Sequence, residues 1–162
     1  MGKLEHPAIP PVHLVGQDDA DQITLVMKFI EGCSWLEIIN RDYKKVSTHK
    51  LPQWYIEKHL NYFLRIGEAL EFAHQKSIIH RDIKPENVVI GSYGEVYLID
   101  WGVASYLDKN KTLSNHSYAG TPCYASPEMV TEKPMWDIRS DVYLMGATLF
   151  HFLSGNPFGS LQ

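Results

Sequence analysis

The most constraining feature of this sequence is a pair of polar motifs with two short apolar runs between them. Residues 80–87 spell His-Arg-Asp-Ile-Lys-Pro-Glu-Asn, and Asp100-Trp101-Gly102 begins thirteen residues after Asn87. The runs 88–90 and 95–99 are rich in branched and aromatic residues, and two glycines lie between them. This pattern predicts two strands joined by a hairpin turn, with both polar motifs beside them.

The polar residues of the two motifs suit one kind of chemistry. Asp82 is followed by Lys84 and Asn87, and a second carboxylate, Asp100, ends an apolar run. Transfer of a phosphoryl group from ATP to a hydroxyl requires a carboxylate that orients the acceptor, a cation beside the phosphate, and oxygen ligands for a metal ion. The motifs therefore indicate a phosphotransfer site.

Three segments together resemble a known family. HRDIKPEN, DWG and the segment GTPCYASPE at 120–128 resemble the catalytic loop, the metal-binding loop and the end of the activation segment of eukaryotic-type (Hanks-type) serine/threonine protein kinases. They occur in the order and at the spacing of that family. The stretch GSYGEVYLIDWG at 91–102, with tryptophan in the metal loop, resembles the bacterial members.

The resemblance runs from about His6 to about Phe158 and implies an α+β, protein-kinase-like fold that is incomplete. The expected parts are the end of the small-lobe sheet, the hinge and the helical core of the large lobe. The implied organisation is one partial kinase domain over 1–162, in which 1–30 is a remnant of the small lobe and hinge and 31–162 is the N-terminal part of the large lobe.

The resemblance also implies a role for each polar residue of the two motifs. Asp82 would orient the substrate hydroxyl or accept its proton, and Lys84 would neutralise charge on the transferred phosphate. Asn87 and Asp100 would bind Mg²⁺, which prefers oxygen ligands, so ATP and Mg²⁺ are the expected cofactors. Lys84 would also contact the nucleotide, and its position two residues after Asp82 is the serine/threonine pattern.

On the nucleotide side, the segment before residue 31 resembles the strands that lead into the hinge. Met27 would be the gatekeeper, and Lys28, Phe29 and Ile30 would form the hinge that offers backbone groups to adenine. The glycines of 91–96 look like part of a glycine-rich nucleotide loop, but such a loop precedes the catalytic loop by a whole lobe. We therefore interpret them as a hairpin turn.

Other residues would support or regulate the site. His80 would hold the metal loop by hydrogen bonding, Thr121 would contact Asp82 and Lys84, and Arg81 would pair with a phosphate on the activation segment. Glu128, which normally pairs with a downstream arginine, and Asp141, which normally fastens the catalytic loop, would have scaffold roles. The possible phosphate acceptors are Thr112, Ser114 and Ser117. A solvated polar loop explains these three equally well.

Composition excludes several other classes of protein. The 15 basic and 19 acidic residues give a net charge of −4, which removes the basic footprint of a nucleic-acid binder. Cys33 and Cys123 lack the spacing of a zinc or disulfide framework and are expected to be reduced, buried or half-buried thiols. No apolar run is long enough to span a bilayer, so a cytoplasmic location is expected, although many bacterial members of the family carry a membrane helix beyond their kinase domain.

Periodicity predicts the main elements. We expect a strand at Ile23–Met27, a short helix at 34–40 capped by Ser34, and a loop from 41 to 53. A longer amphipathic helix is expected over 54–75, where apolar residues recur at 56, 60, 63, 64, 67 and 70. A last helix over about 138–153 is apolar on nearly every face and is expected to be buried. His6, His13 and His74 lack ligand spacing and are expected to be surface or core residues.

The sequence contains no G-x-G-x-x-G loop, no V-A-I-K lysine and no preceding helix glutamate. These parts supply positioning and charge stabilisation, so we expect this chain alone to have little or no kinase activity. Two other interpretations remain: a catalytically silent, pseudokinase-like binding module, and a small-molecule phosphotransferase, against which the peptide-binding segment GTPCYASPE argues. Apolar surfaces that meet the absent parts would be exposed, which favours aggregation or oligomer formation.

Overall fold

The computed structural model describes residues 4–17, 22–46, 50–110, 112–114, 120–132 and 134–157. In this part of the chain, three α-helices are combined with short antiparallel strands in four small sheets. The helices are α1 (Trp35–Tyr43), α2 (Gln53–Gln75) and α3 (Ile138–Ser154). The strands are β1 (Val12–Gln17), β2 (Ile23–Met27), β3 (Gly32–Ser34), β4 (Ile78–Ile79), β5 (Val88–Gly91), β6 (Val96–Leu98), β7 (Ser105–Tyr106), β8 (Leu113–Ser114) and β9 (Met135–Trp136).

The first sheet is a two-stranded hairpin. β1 pairs antiparallel with β2, from Val12 opposite Met27 to Gln17 opposite Ile23. The strand predicted at Ile23–Met27 is confirmed with the same bounds. The pairing extends past β2, because the backbone N–H of Lys28 donates to the carbonyl of Pro11 at 3.1 Å. Residues 28–31 therefore follow the hairpin directly and connect it to β3.

The second sheet has the order β3-β5-β6 and contains the predicted hairpin. Ile90 pairs with Cys33 on one side and with Val96 on the other. Gly94 adopts a φ of 86°, which side chains other than glycine rarely allow, and Gly91 N–H closes the turn onto the Glu95 carbonyl at 2.8 Å. The interpretation of this glycine pair as a turn is confirmed.

Helix α1 begins as predicted and ends later. The hydroxyl of Ser34 accepts from the Glu37 N–H, and the Glu37 carboxylate accepts from the Ser34 N–H, which completes a capping box. The loop expected from residue 41 is wrong for 41–43, which are helical. Asp42 explains the extra turn, because its buried carboxylate binds Lys58 at 2.6 Å and Lys45 at 3.3 Å.

Helix α2 is confirmed over its whole predicted length, but its predicted apolar stripe is buried only in part. Leu60 and Leu64 of the predicted apolar stripe are 39% and 57% exposed. Tyr55 and His59 are fully buried instead, because each has a hydrogen-bond partner in the core. A pattern that counts aliphatic residues misses them. The buried positions of α2 are Tyr55, His59, Ile66, Ala69, Leu70 and Ala73.

Helix α3 also has its predicted position, but the expectation of a buried helix is met on one face only. Ile138, Val142 and Leu153 are 43%, 62% and 40% exposed. The buried face carries polar side chains that bond to neighbouring segments, so hydrophobic content around the whole helix did not identify the face that packs. The buried residues of α3 are Ser140, Asp141, Leu144, Ala147, Thr148, His151 and Phe152.

An aromatic cluster joins the three helices. The ring of Trp35 from α1 lies 5.5 Å from that of Phe152 from α3, and the hydroxyl of Tyr55 from α2 donates to the Phe152 carbonyl at 2.6 Å. Burial of such large side chains provides most of the driving force for this packing. The cluster gives α3 a fixed position beneath the polar motifs.

Two further expectations concern the surface. Both cysteines are free thiols; Cys33 is half-buried, but Cys123 is exposed, which corrects the expectation of burial. Cys123 follows Pro122 in a single helical turn whose buried residue is the neighbouring Tyr124, so the thiol faces outward. Among the helices of the described residues, none combines the length and hydrophobicity needed to cross a membrane.

Candidate active site

The polar motif at 80–87 follows strand β4, and α3 holds its backbone. The carboxylate of Asp141 accepts the N–H of His80 through Oδ2 and the N–H of Arg81 through Oδ1, both at 2.9 Å. Arg81 adopts a φ of 76°, a conformation that costs a residue with a side chain about 1 kcal/mol. These two charge-assisted bonds offset that cost and fix the start of the loop.

A third donor reaches the same carboxylate from α2. Nε2 of His74 lies 2.7 Å from Oδ2 of Asp141, and the Asp141 side chain is fully buried. Sequence analysis placed His74 only as a surface or core residue and missed this contact. No local sequence pattern predicts the contact between His74 and Asp141, because these residues belong to different helices that meet only in the folded chain.

Asp82 lies at the centre of a compact polar network. Its Oδ1 accepts from the hydroxyl of Thr121 at 2.8 Å, and its Oδ2 accepts from Lys84 Nζ and from Asn87 Nδ2, each at 2.9 Å. Lys84 also donates to the Thr121 hydroxyl. The structure therefore brings together four of the residues singled out from the sequence, three of the catalytic loop and one from the segment at 120–128.

This network keeps Asp82 ionised. Burial alone would raise the pKa of Asp82, but the hydrogen bonds from Lys84, Thr121 and Asn87 outweigh burial and hold the pKa below its ordinary value. A carboxylate with a low pKa is a weak base. Asp82 is therefore better suited to orient a hydroxyl than to remove its proton early.

His80 is buried with both ring nitrogens committed. Nε2 lies 3.1 Å from the carbonyl of Ile99, which can only accept, and Nδ1 accepts from the Asp82 N–H at 3.3 Å. Burial lowers the pKa of His80, so the ring is neutral with its proton on Nε2. The His80 ring also packs edge-on against the Trp101 ring, with 4.6 Å between the two ring centroids. These contacts link the 80–87 loop to the DWG motif.

The DWG motif forms a tight turn after β6. Asp100 has a φ of 59° and its carboxylate caps the turn 101–103, with Oδ1 3.4 Å from the Gly102 N–H. The Trp101 indole donates to the Leu98 carbonyl at 2.9 Å, and Ile99 N–H donates to the Asn87 carbonyl at the same distance. These bonds attach the turn to the end of the catalytic loop.

Asn87 and Asp100 fit a divalent cation. The amide nitrogen of Asn87 donates to the backbone carbonyl and to the side chain of Asp82, so the amide oxygen is the atom of this side chain that can act as an acceptor. The Asp100 carboxylate is exposed. A carboxylate and an amide oxygen are the hard ligands that Mg²⁺ prefers, completed by water and phosphate oxygens.

A largely apolar cavity of about 150 Å³ lies next to the DWG turn. Met27 and Leu25 of β2 and Asp100 of the DWG motif are among the residues that line it. Its remaining lining residues are Leu4, Ile9, Pro10, Val12, Ile99, Trp101 and Gly102. The structure thus places the predicted gatekeeper and the predicted metal carboxylate at one cavity.

The predicted hinge is largely exposed, and one of its backbone N–H groups is already hydrogen-bonded within the chain. Phe29 is 87% exposed, and the N–H of Lys28 is used by the carbonyl of Pro11, so the Lys28 N–H is not available to a ligand. The Lys28 side chain donates to the Tyr97 hydroxyl at 2.6 Å, a contact that sequence analysis did not anticipate.

The segment after the DWG motif contains the three predicted phosphate acceptors. Thr112 donates its hydroxyl to the carboxylate of Asp108 at 3.3 Å and its backbone N–H to the same group at 2.9 Å. Ser114 lies in β8, which pairs with β9. Ser117 lies outside the described residues. Of the three, Thr112 thus has its hydroxyl beside a negative charge.

Residues 120–128 are attached to α3 by two side-chain hydrogen bonds. The Glu128 carboxylate accepts from the Ser140 hydroxyl at 2.9 Å. Tyr124 and Nδ1 of His151 share a buried hydrogen bond of 2.6 Å, which sequence analysis also missed. Burial raises the pKa of Tyr124 and lowers that of His151, so both groups are neutral. Thr121 is thereby held where it reaches Asp82.

Comparison with known proteins agrees with this geometry. The chain is 33% identical over 177 residues to the serine/threonine-protein kinase PknD of Protochlamydia amoebophila, covering 96% of this chain and 18% of that protein. It is 32% identical over 156 residues both to PrkC of Bacillus subtilis and to CBL-interacting serine/threonine-protein kinase 15 of Arabidopsis thaliana. Those matches cover 96% of this chain and 22% and 34% of the relatives.

The chain thus spans about a fifth to a third of the length of these relatives. Bacterial serine/threonine kinases are among them, as the tryptophan of the DWG motif suggested. The profile of the protein kinase domain matches residues 1–161, which includes the Asp82 network and the DWG turn. Match and geometry agree, and the chain belongs to the protein kinase family.

Proposed function

We propose that this chain carries the acceptor-binding and metal-binding half of a serine/threonine protein kinase site, which transfers the γ-phosphate of ATP to Ser or Thr hydroxyls of a protein. The observation that carries the proposal is the network in which Lys84, Thr121 and Asn87 all bind the Asp82 carboxylate. A carboxylate that only stabilises a turn would not be expected to bind a lysine and two further hydrogen-bond donors.

In the proposed reaction Asp82 orients the acceptor hydroxyl and takes its proton as the hydroxyl oxygen bonds to the γ-phosphorus; the bond from that phosphorus to the bridging oxygen of ATP breaks, and ADP leaves. Lys84, 2.9 Å from Asp82, offsets negative charge that gathers on the transferred group. Asn87 and Asp100 would hold Mg²⁺, which neutralises the phosphate oxygens when bound. Thr121 keeps Asp82 and Lys84 in one geometry.

The adenine of ATP would lie in the cavity beneath Met27, with the backbone groups of Phe29 and Ile30 as its polar contacts. The mostly apolar lining suits a flat aromatic base. We assign 1–30 to the small lobe and hinge and 31–162 to the large lobe. Because ATP is the donor and the thiols are free, we place the reaction in the cytoplasm.

A transfer assay tests this proposal. The chain is incubated with labelled ATP, Mg²⁺ and peptides that differ only in a Ser, Thr or Tyr acceptor. We expect slow transfer to Ser and Thr, because no glycine-rich loop occurs in the sequence, and at least about a hundredfold loss in Asp82→Asn. Asp108→Asn, in the loop before β8, is the matched control and should transfer at the wild-type rate.

Two outcomes contradict the proposal in different ways. Equal label incorporation by wild type and Asp82→Asn means that Asp82 does not take part in transfer. Binding of Mg²⁺-ATP without any Asp82-dependent transfer identifies the chain as a silent binding module instead. A filter-binding titration with ATP, with and without Mg²⁺, separates these two cases.

A further inference from the structure

Arg81, the residue between His80 and Asp82, is buried among groups that come from two other segments. Its guanidinium Nη1 donates to the Val103 carbonyl at 3.2 Å and to the Ser105 hydroxyl at 3.1 Å. The same guanidinium lies over the ring of Trp136, with 3.9 Å between the guanidinium carbon and the ring centroid. Arg81 is 4% exposed and Trp136 is fully buried.

The contact with Trp136 is a strong one by its geometry. A cation within about 6 Å of an indole centroid is attracted by the electron-rich face of the ring, and the attraction grows when water is excluded. A guanidinium also stacks on an aromatic plane in a way that an ammonium does not. The indole provides this attraction without carrying a charge or an ionisable group.

Trp136 is in turn tied to the segment that follows the DWG motif. It lies in β9, where it pairs with Leu113 of β8. At the other end of that segment, Ser105 of β7 pairs with Ile79 of β4, directly before His80. Arg81 therefore connects both ends of residues 103–114 to the catalytic loop, through Ser105 at one end and Trp136 at the other.

We propose that Trp136 is a positioning residue for the catalytic loop: its indole ring holds the Arg81 guanidinium against residues 103–114, so that this arrangement persists without a phosphate on Thr112, Ser114 or Ser117. The inference rests on the proposed function in taking residues 80–87 as the catalytic loop. It replaces a phosphate partner for Arg81 with an aromatic one. Regulation of this site would then depend on β8–β9 pairing rather than on phosphorylation.

Hydrogen exchange of the backbone N–H groups in 103–114, followed by mass spectrometry, tests the inference on the full chain. We expect Trp136→Leu to speed this exchange at least about tenfold, because the aromatic face is lost. Trp136→Phe, which keeps a face, should stay within about threefold of the wild type. Trp54→Leu, an exposed tryptophan of α2, is the matched control and should change nothing in this segment.

A double-mutant cycle tests whether Arg81 and Trp136 act together, and phosphatase treatment tests whether a phosphate is required. Arg81→Gln should speed exchange as Trp136→Leu does, and the double variant should show no further increase. Should Trp136→Leu lose its far-UV circular dichroism, Arg81→Gln alone decides: wild-type protection in 103–114 overturns the proposal. Phosphatase treatment, with its completeness checked by mass, should leave protection in 103–114 unchanged.

Two results overturn the inference outright. One is protection in 103–114 that exists only in phosphorylated protein, and the other is equal exchange in Trp136→Leu and Trp136→Phe. Exchange is measured whether or not the chain transfers phosphate. Intact, Trp136-dependent protection in a chain that shows no Asp82-dependent transfer therefore contradicts the proposed function, whereas the positioning of Arg81 by Trp136 stands.

Discussion

At the scale of single residues, Thr121 links Asp82 and Lys84, the two residues of the proposed acceptor site. Its hydroxyl donates to Asp82 and accepts from Lys84, so one oxygen sets the separation of the proposed catalytic pair. Without it, Lys84 and Asp82 would keep their direct ion pair but lose the common partner that orients both. The effect belongs to the transition state, where the geometry of both groups matters.

We expect Thr121→Val to lower the transfer rate by about tenfold to a hundredfold, since hydrogen bonds to charged groups contribute about 1.5–3 kcal/mol. Thr121→Ser retains the hydroxyl and should remain within about threefold of wild type. Initial rates with saturating ATP and a serine peptide measure both variants. Similar rates for Val and Ser at this position would show that the hydroxyl has no part in transfer.

His59, in the aromatic cluster of the core, shows a different effect of burial. The Trp35 indole donates to its Nδ1 at 2.8 Å, so the neutral ring carries its proton on Nε2, 3.7 Å from Asp42. Burial lowers the pKa of His59 from 6.5 to about 4, although Asp42 opposes the shift. Desolvation wins because the ring is fully buried and the contact with Asp42 is too long for a good hydrogen bond.

The direction of the pH effect follows from that lowered pKa. Below 6.5 the unfolded chain binds a proton at this residue and the folded chain does not, so stability falls as the pH drops toward 4. We expect the free energy of unfolding to fall by about 3 kcal/mol more in wild type than in His59→Gln over that range. Urea unfolding at a series of pH values measures it. Parallel curves for the two proteins would assign the loss to other groups.

At the scale of elements, helix α3 joins the core to the active site through its first turn. Asp137 caps the helix by accepting the Arg139 N–H at 2.7 Å, near the surface. Asp141, one turn later, is fully buried and accepts from His80, Arg81 and His74. Substitution of Asp137 and substitution of Asp141 should therefore lower the free energy of unfolding by different amounts, although both are aspartates within five residues of the same helix.

We expect Asp137→Ala to destabilise the chain by about 1 kcal/mol, the usual cost of a lost helix cap. Asp141→Ala leaves three donors without their acceptor and should cost about 3–5 kcal/mol. Chemical denaturation of the two variants measures both values. Equal losses would mean that the backbone of the catalytic loop does not depend on α3.

The elements also show what the sequence can predict. Capping by Ser34 and the bounds of β2 depend on neighbouring residues, and both were predictable from local pattern. The buried face of α2 was not, because Tyr55 and His59 are buried through partners that lie 97 and 24 residues away in sequence, respectively. Polar side chains become core residues only when the fold supplies such partners.

The same distinction applies to the active site. Asp82, Lys84, Asn87 and Asp100 were found because their motifs are local and specific. Trp136 and His74 were missed, since each acts through a residue in another element and neither lies in a motif. Sequence thus identified the groups proposed for chemistry, whereas the residues that hold them emerged only from the folded chain.

At the scale of the whole molecule, apolar exposure is concentrated in the β1–β2 hairpin. Leu14 and Val15, which point to opposite faces of β1, are 61% and 60% exposed, and Ile23 of β2 is 74% exposed. Neither face of the hairpin is thus fully covered by the described residues. A two-stranded sheet is marginally stable alone, and exposed patches of this kind mark sites of association.

We therefore expect the isolated chain to self-associate through this hairpin. Leu14→Lys combined with Ile23→Lys should weaken association at least about tenfold, because two apolar side chains can no longer be buried between copies and the added charges repel. Leu60→Lys with Leu64→Lys, on the exposed face of α2, is the matched control and should leave association unchanged. Sedimentation velocity over a range of concentrations measures the constants. A wild-type chain that stays monomeric, or equal weakening by both pairs, would show that the hairpin is not the contact.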